Sequence, residues 1–242
     1  MMLTHKPSGE RNGRDRVALV TGAGRGLGRS LALAFASAGA QVAANDLTPV
    51  NLDETVRLIE AAGGRVRPYL FDIAKGLPAR ALVDQVVAQF GRLDVLVNNA
   101  GVRPIQPLTS MDEWDWQRTL DVNLSGPFLL MQAAVKPMQQ QGGGIILNIA
   151  SGEPRPALLH GQAAYFASKS ALITLSQAAA QEFSTYNIRV YTICPAETPA
   201  PGIDARAVVD LAIALCDPAS THPNGQVFWL EKRDWAQEDA GS

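Results

Sequence analysis

Residues 16–28 read RVALVTGAGRGLG. Arg16–Thr21 is a run of apolar and β-branched residues, the signature of a buried strand. Four glycines then fall at alternate positions, Gly22, Gly24, Gly26 and Gly28, and a helical pattern covers Leu27–Ala38. A glycine-rich turn between a strand and a helix lets backbone amides come close to a pyrophosphate. The helix N-terminus beyond it offers unpaired N–H groups and a partial positive charge. An ordinary tight strand–helix turn is the alternative, and four glycines in seven positions argue against it.

The same alternation continues along the chain. Strands are expected at Gln41–Ala44, Val66–Phe71, Leu93–Val97, Ile145–Ile149, Ile188–Ile193 and Gln226–Leu230. Between them, helical spacing covers Leu52–Ala62, Pro78–Phe90, Asp112–Gln140, Ala163–Phe183 and Ala205–Leu215, with an interruption expected at Gly126-Pro127. Alternating β and α units predict an α/β fold with a parallel sheet covered by helices on both faces. Residues 1–15 are polar and read as a tail, which leaves 16–242 as one domain.

Composition narrows the function. The 242 residues carry 21 Lys+Arg against 23 Asp+Glu, a net charge of −2, with 47% hydrophobic and 18% charged residues. That balance suits a globular domain with a substantial core and offers no basic surface for nucleic acid. No window of about 18 uninterrupted apolar residues predicts a membrane span. The N-terminus has no secretory pattern, and Cys194 and Cys216 read as two buried thiols, so a cytoplasmic location is expected.

Asp46, with Leu47 beside it, closes the second strand 24 residues after Gly22. A carboxylate there can accept hydrogen bonds from the hydroxyls of an adenosine ribose and would repel a 2′-phosphate. The alternative is an aspartate that caps a turn near Asn45 and Thr48. Arg25 pulls the other way, because a cation in the glycine loop can pair with a 2′-phosphate. Asp46 is better placed, so NAD is expected, with NADP as the alternative.

Tyr165 and Lys169 stand four apart and share one helix face. Ser151 follows the fifth strand, Asn98-Asn99-Ala100-Gly101 closes the fourth, and Asn123 lies in Asp121-Val122-Asn123-Leu124. The strand ends among them point to one edge of a parallel sheet, where such folds bind ligands.

In this combination the chain resembles the short-chain dehydrogenase/reductase family, over about residues 16–195. The motifs that carry the likeness are Thr21 to Gly28, Asn98 to Gly101, Ser151, and Tyr165 with Lys169. The resemblance implies a Rossmann-type doubly wound sheet of about seven parallel strands, a nicotinamide cofactor, and a catalytic set of Asn123, Ser151, Tyr165 and Lys169. It implies that Tyr165 exchanges the proton, that Lys169 favours tyrosinate and holds the nicotinamide ribose, and that Ser151 bonds the substrate oxygen. Asn123 would hold a water linking Lys169 to solvent. Asp72 and Ile73 would flank the adenine. Asn99, Ala100 and Gly101 would line the adenosine and ribose side, and Pro195 would sit beside the nicotinamide. The expected activity interconverts an alcohol and a ketone on a small-molecule or carrier-linked substrate. The rival is a cofactor-binding sensor or scaffold with little activity. A homodimer or homotetramer is implied, built on the helices in Asp112–Gln140 and Ala163–Phe183.

The chain departs from the family pattern after Pro195. Ala196 stands where glycine is usual, position 200 is alanine where threonine is usual, and Tyr191 replaces a common asparagine. Thr198 is the nearest substitute hydroxyl. Glu231-Lys232-Arg233 stands where an acidic residue and two glycines are usual. The stretch 196–203 is too short and broken for a helix. An open substrate pocket is therefore expected, or one covered by residues 231–242, which include Trp235. Arg103, Glu153, Arg155 and His160 are expected in loops around the substrate pocket, as a sign of a polar or acidic substrate or simply as solvated loop residues. Trp114 is expected in the core.

Overall fold

Val17–Thr21 forms strand β1, buried along its whole length. Its side chains alternate between two cores: Ala18 and Val20 face one, Val17 and Leu19 the other. That alternation is what a strand covered on both faces requires. The computed structural model describes residues 16–151, 161–195 and 205–230. The readings of the N-terminal tail, Glu153, Arg155, His160, the stretch 196–203 with Thr198, and the C-terminal segment with Trp235 lie outside these residues.

Among the described residues β1 is joined by β2 (Gln41–Asn45), β3 (Arg65–Tyr69), β4 (Val95–Asn98), β5 (Gly144–Ile149), β6 (Ile188–Cys194) and β7 (Val227–Trp229). All neighbouring strands are parallel, in the order β3-β2-β1-β4-β5-β6-β7. The helices are α1 (Gly26–Ser37), α2 (Pro49–Ala61), α3 (Gly76–Phe90), α4 (Glu113–Leu120), α5 (Gly126–Gln140), α6 (Ala163–Phe183) and α7 (Ala205–Leu215). Residues of α1, α2 and α7 pack in the core on one face of the sheet, and residues of α3, α5 and α6 in the core on the other. Leu31 and Leu52 serve the first core, Leu82 and Leu130 the second, all fully buried. Burying each such side chain contributes about 1.5–3 kcal/mol.

Sequence order reverses at β1, which has β2 on one side and β4 on the other. The turns after β1 and β4 therefore diverge and leave a crevice at their C-terminal ends.

Three expectations are corrected. Gly126-Pro127 does not interrupt the helical stretch: α4 passes through a π turn, Asp121–Ser125, directly into α5. Pro127 is tolerated because it stands in the first turn of α5, where its fixed φ already suits a helix. Trp114 is not in the core but 67% exposed, its ring 5.6 Å from the Arg118 guanidinium. The third strand ends at Tyr69, two residues short of the expected Phe71. It is an edge strand, which accommodates Pro68.

Tyr191 is fully buried, and its hydroxyl donates to the His222 carbonyl at 3.0 Å. Its place in β6 is structural.

Candidate active site

The glycine turn is shaped by close approach. A Cβ on Gly28 would lie 2.0 Å from the Gly22 carbonyl oxygen, and one on Gly22 would lie 2.9 Å from Ala100 Cα. Gly22 and Gly26 also have φ values of +64° and +55°. A Cβ on Gly26 would meet no atom within 4 Å, because that side of the loop is open. The turn is braced from behind. Arg29 Nε donates to Thr55 Oγ1 at 3.0 Å, its guanidinium reaches the Gly24 carbonyl, and Thr55 donates to the Ala23 carbonyl at 2.9 Å. Sequence reasoning missed Arg29 and Thr55. They sit 26 residues apart on different helices and belong to no motif.

Asp46 holds two backbone groups with its two carboxylate oxygens. Its Oδ1 accepts from the Thr48 N–H at 3.0 Å, as in a turn-capping aspartate. Its Oδ2 accepts from the Gly24 N–H at 2.9 Å, which ties the carboxylate to the glycine loop. The side chain is half-buried and borders a cleft of about 600 Å³. Every cofactor-side residue expected between Gly22 and Gly101 lines this cleft: the glycine loop with Arg25 and Leu27, Asp46-Leu47, Asp72-Ile73 and Asn99-Ala100-Gly101. Arg118, Phe71 and Val122 line it as well and were not foreseen. Thr21, fully buried, accepts from the Asn99 and Ala100 N–H groups at 3.0 and 3.1 Å and so joins the β1 and β4 turns. The donor set fits a dinucleotide: a glycine loop open on one side, a helix N-terminus behind it, and a carboxylate at one end.

The expected catalytic residues lie beyond Gly101. Lys169 is 5% exposed, and its Nζ donates to the Ile149 carbonyl at 2.7 Å, two residues before Ser151. The same Nζ is 6.0 Å from the centre of the Tyr165 ring. Ser151 is buried at the end of β5. Asn123 is fully buried in the π turn, where its Oδ1 accepts from the Val102 N–H at 2.8 Å. Its Nδ2 donates to the Val102 carbonyl at 2.9 Å and to Ser168 Oγ at 3.0 Å. Ser168 in turn donates to the Tyr165 carbonyl at 2.7 Å, a link the sequence did not announce. A Cβ on Gly101 would lie 3.2 Å from Asn123 Oδ1 and 3.6 Å from Lys169 Nζ. Gly101 thus joins the cleft to the Asn123–Lys169 side of the site. Pro195 follows β6 on the same sheet edge.

Cys194 ends β6 behind Lys169. Burial pushes its thiol up to about 12, against the opposing pull of the Lys169 charge and a hydrogen bond from the Ser151 backbone. Burial pushes Cys216 up to about 12 as well. Both are free thiols kept neutral, as the sequence suggested.

Comparison with known proteins agrees with this architecture. The short chain dehydrogenase family model matches residues 16–206. A 3-oxoacyl-(acyl-carrier-protein) reductase of Thermotoga maritima is 39% identical over 191 residues, covering 76% of this chain and 75% of that one. A metagenomic short-chain oxidoreductase in complex with NADP superposes with a TM-score of 0.82 at 34% identity, covering 88% of this chain and 96% of that one. A 7α-hydroxysteroid dehydrogenase complexed with NADH and 7-oxo glycochenodeoxycholic acid superposes with a TM-score of 0.81 at 30% identity, covering 90% and 94%. The chain belongs to the short-chain dehydrogenase/reductase family and is an oxidoreductase of that family using a nicotinamide cofactor. No described helix is long and apolar enough to cross a membrane, and no cluster of metal-ligating side chains occurs among the described residues.

Proposed function

We propose that this protein interconverts an alcohol and a ketone, with NAD preferred to NADP. The observation that carries the reading is the junction at Gly101. There the cleft suited to a dinucleotide meets Asn123 and Lys169, and Tyr165 stands one helical turn before Lys169. When bound, the nicotinamide supplies or accepts the hydride. Tyr165 gives a proton to the substrate oxygen in reduction and removes it in oxidation. A phenol titrating near 10 is a poor base at neutral pH, so the Lys169 ammonium has to favour the tyrosinate form. Lys169 also holds the nicotinamide ribose. The Ser151 hydroxyl donates to the substrate oxygen as negative charge develops there. Asn123 clamps Val102 through both ends of its amide. Residue 127 is a proline, so no N–H at the i+4 position competes for the Asn123 backbone carbonyl. That carbonyl is suited to hold the water linking Lys169 to solvent.

NAD preference rests on Asp46, whose carboxylate stands at the adenosine end of the cleft and repels a 2′-phosphate. The substrate is a small molecule or a carrier-linked carbonyl compound. The protein works as a homodimer or homotetramer through α4, α5 and α6. Trp114, 67% exposed on α4, and Phe128, 44% exposed on α5, support that face.

The test follows absorbance of the reduced cofactor against a panel of ketones and, in reverse, hydroxy compounds. Turnover of at least one carbonyl–alcohol pair is expected. A flat panel with tight cofactor binding overturns the reading in favour of a sensor or scaffold.

A further inference from the structure

The loop after β4 is clamped onto the N-terminal end of α6, the helix that carries Tyr165. The Gln106 N–H donates to the Gly161 carbonyl at 2.8 Å. Gly161 has a φ of +82°, and a Cβ there would lie 3.2 Å from the Gln106 backbone, so only glycine fits this approach. On the other side, Gln106 Nε2 donates to Asp115 Oδ2 at 2.7 Å, anchoring the loop to α4. Arg103 lies within this clamped loop. Its Nε donates to Oε1 of Gln162, a residue 7% exposed that precedes α6. Its guanidinium carbon sits 5.0 Å from the centre of the Tyr165 ring. Tyr165 therefore has two cations near its ring, Lys169 from its own helix at 6.0 Å and Arg103 from the β4 loop at 5.0 Å.

We propose that Arg103 is a positioning residue for Tyr165: its guanidinium holds the ring and adds a second positive charge that favours tyrosinate. The proposal rests on Tyr165 being the proton carrier. Neutral groups near Tyr165 and Lys169 include Ser151 after β5, Cys194 at the end of β6, Ser168 on α6, Gln162 before it, and Asn123 in the π turn. Asp115 on α4 is a carboxylate tied to the same loop through Gln106. A cation over an aromatic face is attracted to the neutral ring, and more strongly to the anion. For charges about 6 Å apart at an effective dielectric of about 40–80, losing Arg103 raises the Tyr165 pKa by roughly half to one unit.

The experiment titrates tyrosinate absorbance in the full chain without substrate and assigns Tyr165 by subtracting the Tyr165→Phe variant. The same subtraction is then made in Arg103→Met and Arg103→Lys. Arg103→Gln replaces the methionine variant should that one fail to fold. The expected result is a Tyr165 pKa raised by about half to one unit in the neutral variant and largely restored by lysine. In parallel, kcat/KM for alcohol oxidation, which needs tyrosinate, should rise with pH along a limb displaced upward by the same amount. A Tyr165 pKa unmoved by the loss of Arg103 overturns the proposal and leaves the role of Tyr165 intact. A pKa that moves while the kinetic limb stays in place overturns the role of Tyr165, and with it the use of Arg103 in the reaction.

Discussion

Replacing Gly28 with alanine tests whether the glycine turn is set by contact or by backbone freedom. The added methyl would start 2.0 Å from the Gly22 carbonyl oxygen and 2.5 Å from Asn99 Nδ2, whereas ordinary contact begins near 3.4 Å. Neither neighbour yields easily. Gly22 is backbone, and the Asn99 amide is held to the Thr21 carbonyl at 2.9 Å. The start of α1 must move off the sheet by roughly 1 Å, and overpacking of this kind costs about 3 kcal/mol. Gly26 is the control. A methyl there meets nothing within 4 Å, but φ is +55°, so the cost is only the left-handed backbone, about 1 kcal/mol. For a chain of this length about 2–4 °C is lost per kcal/mol. Thermal unfolding followed by circular dichroism should show Tm lowered by about 6–12 °C in Gly28→Ala and about 2–4 °C in Gly26→Ala. Cofactor affinity should fall as well in Gly28→Ala, since the displaced carbonyl belongs to the cleft. A Gly28→Ala protein as stable as the parent, or more stable than Gly26→Ala, would refute the contact argument.

Asp46→Ser should narrow or reverse the gap between NAD and NADP, measured as dissociation constants. Removing a carboxylate about 5 Å from a 2′-phosphate favours NADP by roughly tenfold or more; tighter NADP than NAD binding in the parent would contradict the assignment and promote Arg25. Cys194 and Cys216 should resist a thiol-specific reagent at pH 8 until the protein unfolds, and rapid labelling of either would show that the burial is wrong. Their thiols ionise near 12 in the folded chain against an ordinary 9, so the folded state holds the protons longer. That stability is intact below about pH 9 and is lost as pH rises toward 12, so Tm should decline across that window and flatten in the double Cys→Ala variant. Sedimentation at micromolar concentration should give a dimer or tetramer, and charged replacements of Trp114 and Phe128 should weaken it; a monomeric parent would exclude the assembly.

The parts of the molecule legible in sequence are those with local causes. The glycines of residues 22–28 are demanded by contacts within one turn. The bounds of Ala163–Phe183 and the end of the helix at Leu215 emerge unchanged because each follows a single amphipathic or apolar run. Tyr165 and Lys169 needed only helical spacing to share a face. What escaped depends on how elements meet. Thr55 and Arg29 touch because α2 packs beside α1, and Ser168 reaches Asn123 because α6 passes the π turn. The exposure of Trp114 escapes the sequence because α4 has eight residues, and so short a pattern does not say which face α6 will cover. Gly126-Pro127 suggested a break, yet a proline in a first turn removes an N–H that the new helix does not need.

Tyr165→Phe tests the central claim most directly. The variant removes one hydroxyl and keeps the ring packed against Phe166, Arg103 and Lys169. Turnover and the cofactor dissociation constant are measured side by side, on a carbonyl substrate accepted by the parent. The account predicts that turnover is abolished while the dissociation constant stays within about twofold of the parent value, since the phenol oxygen acts on the proton and Lys169 still holds the ribose. Full turnover in Tyr165→Phe would contradict it.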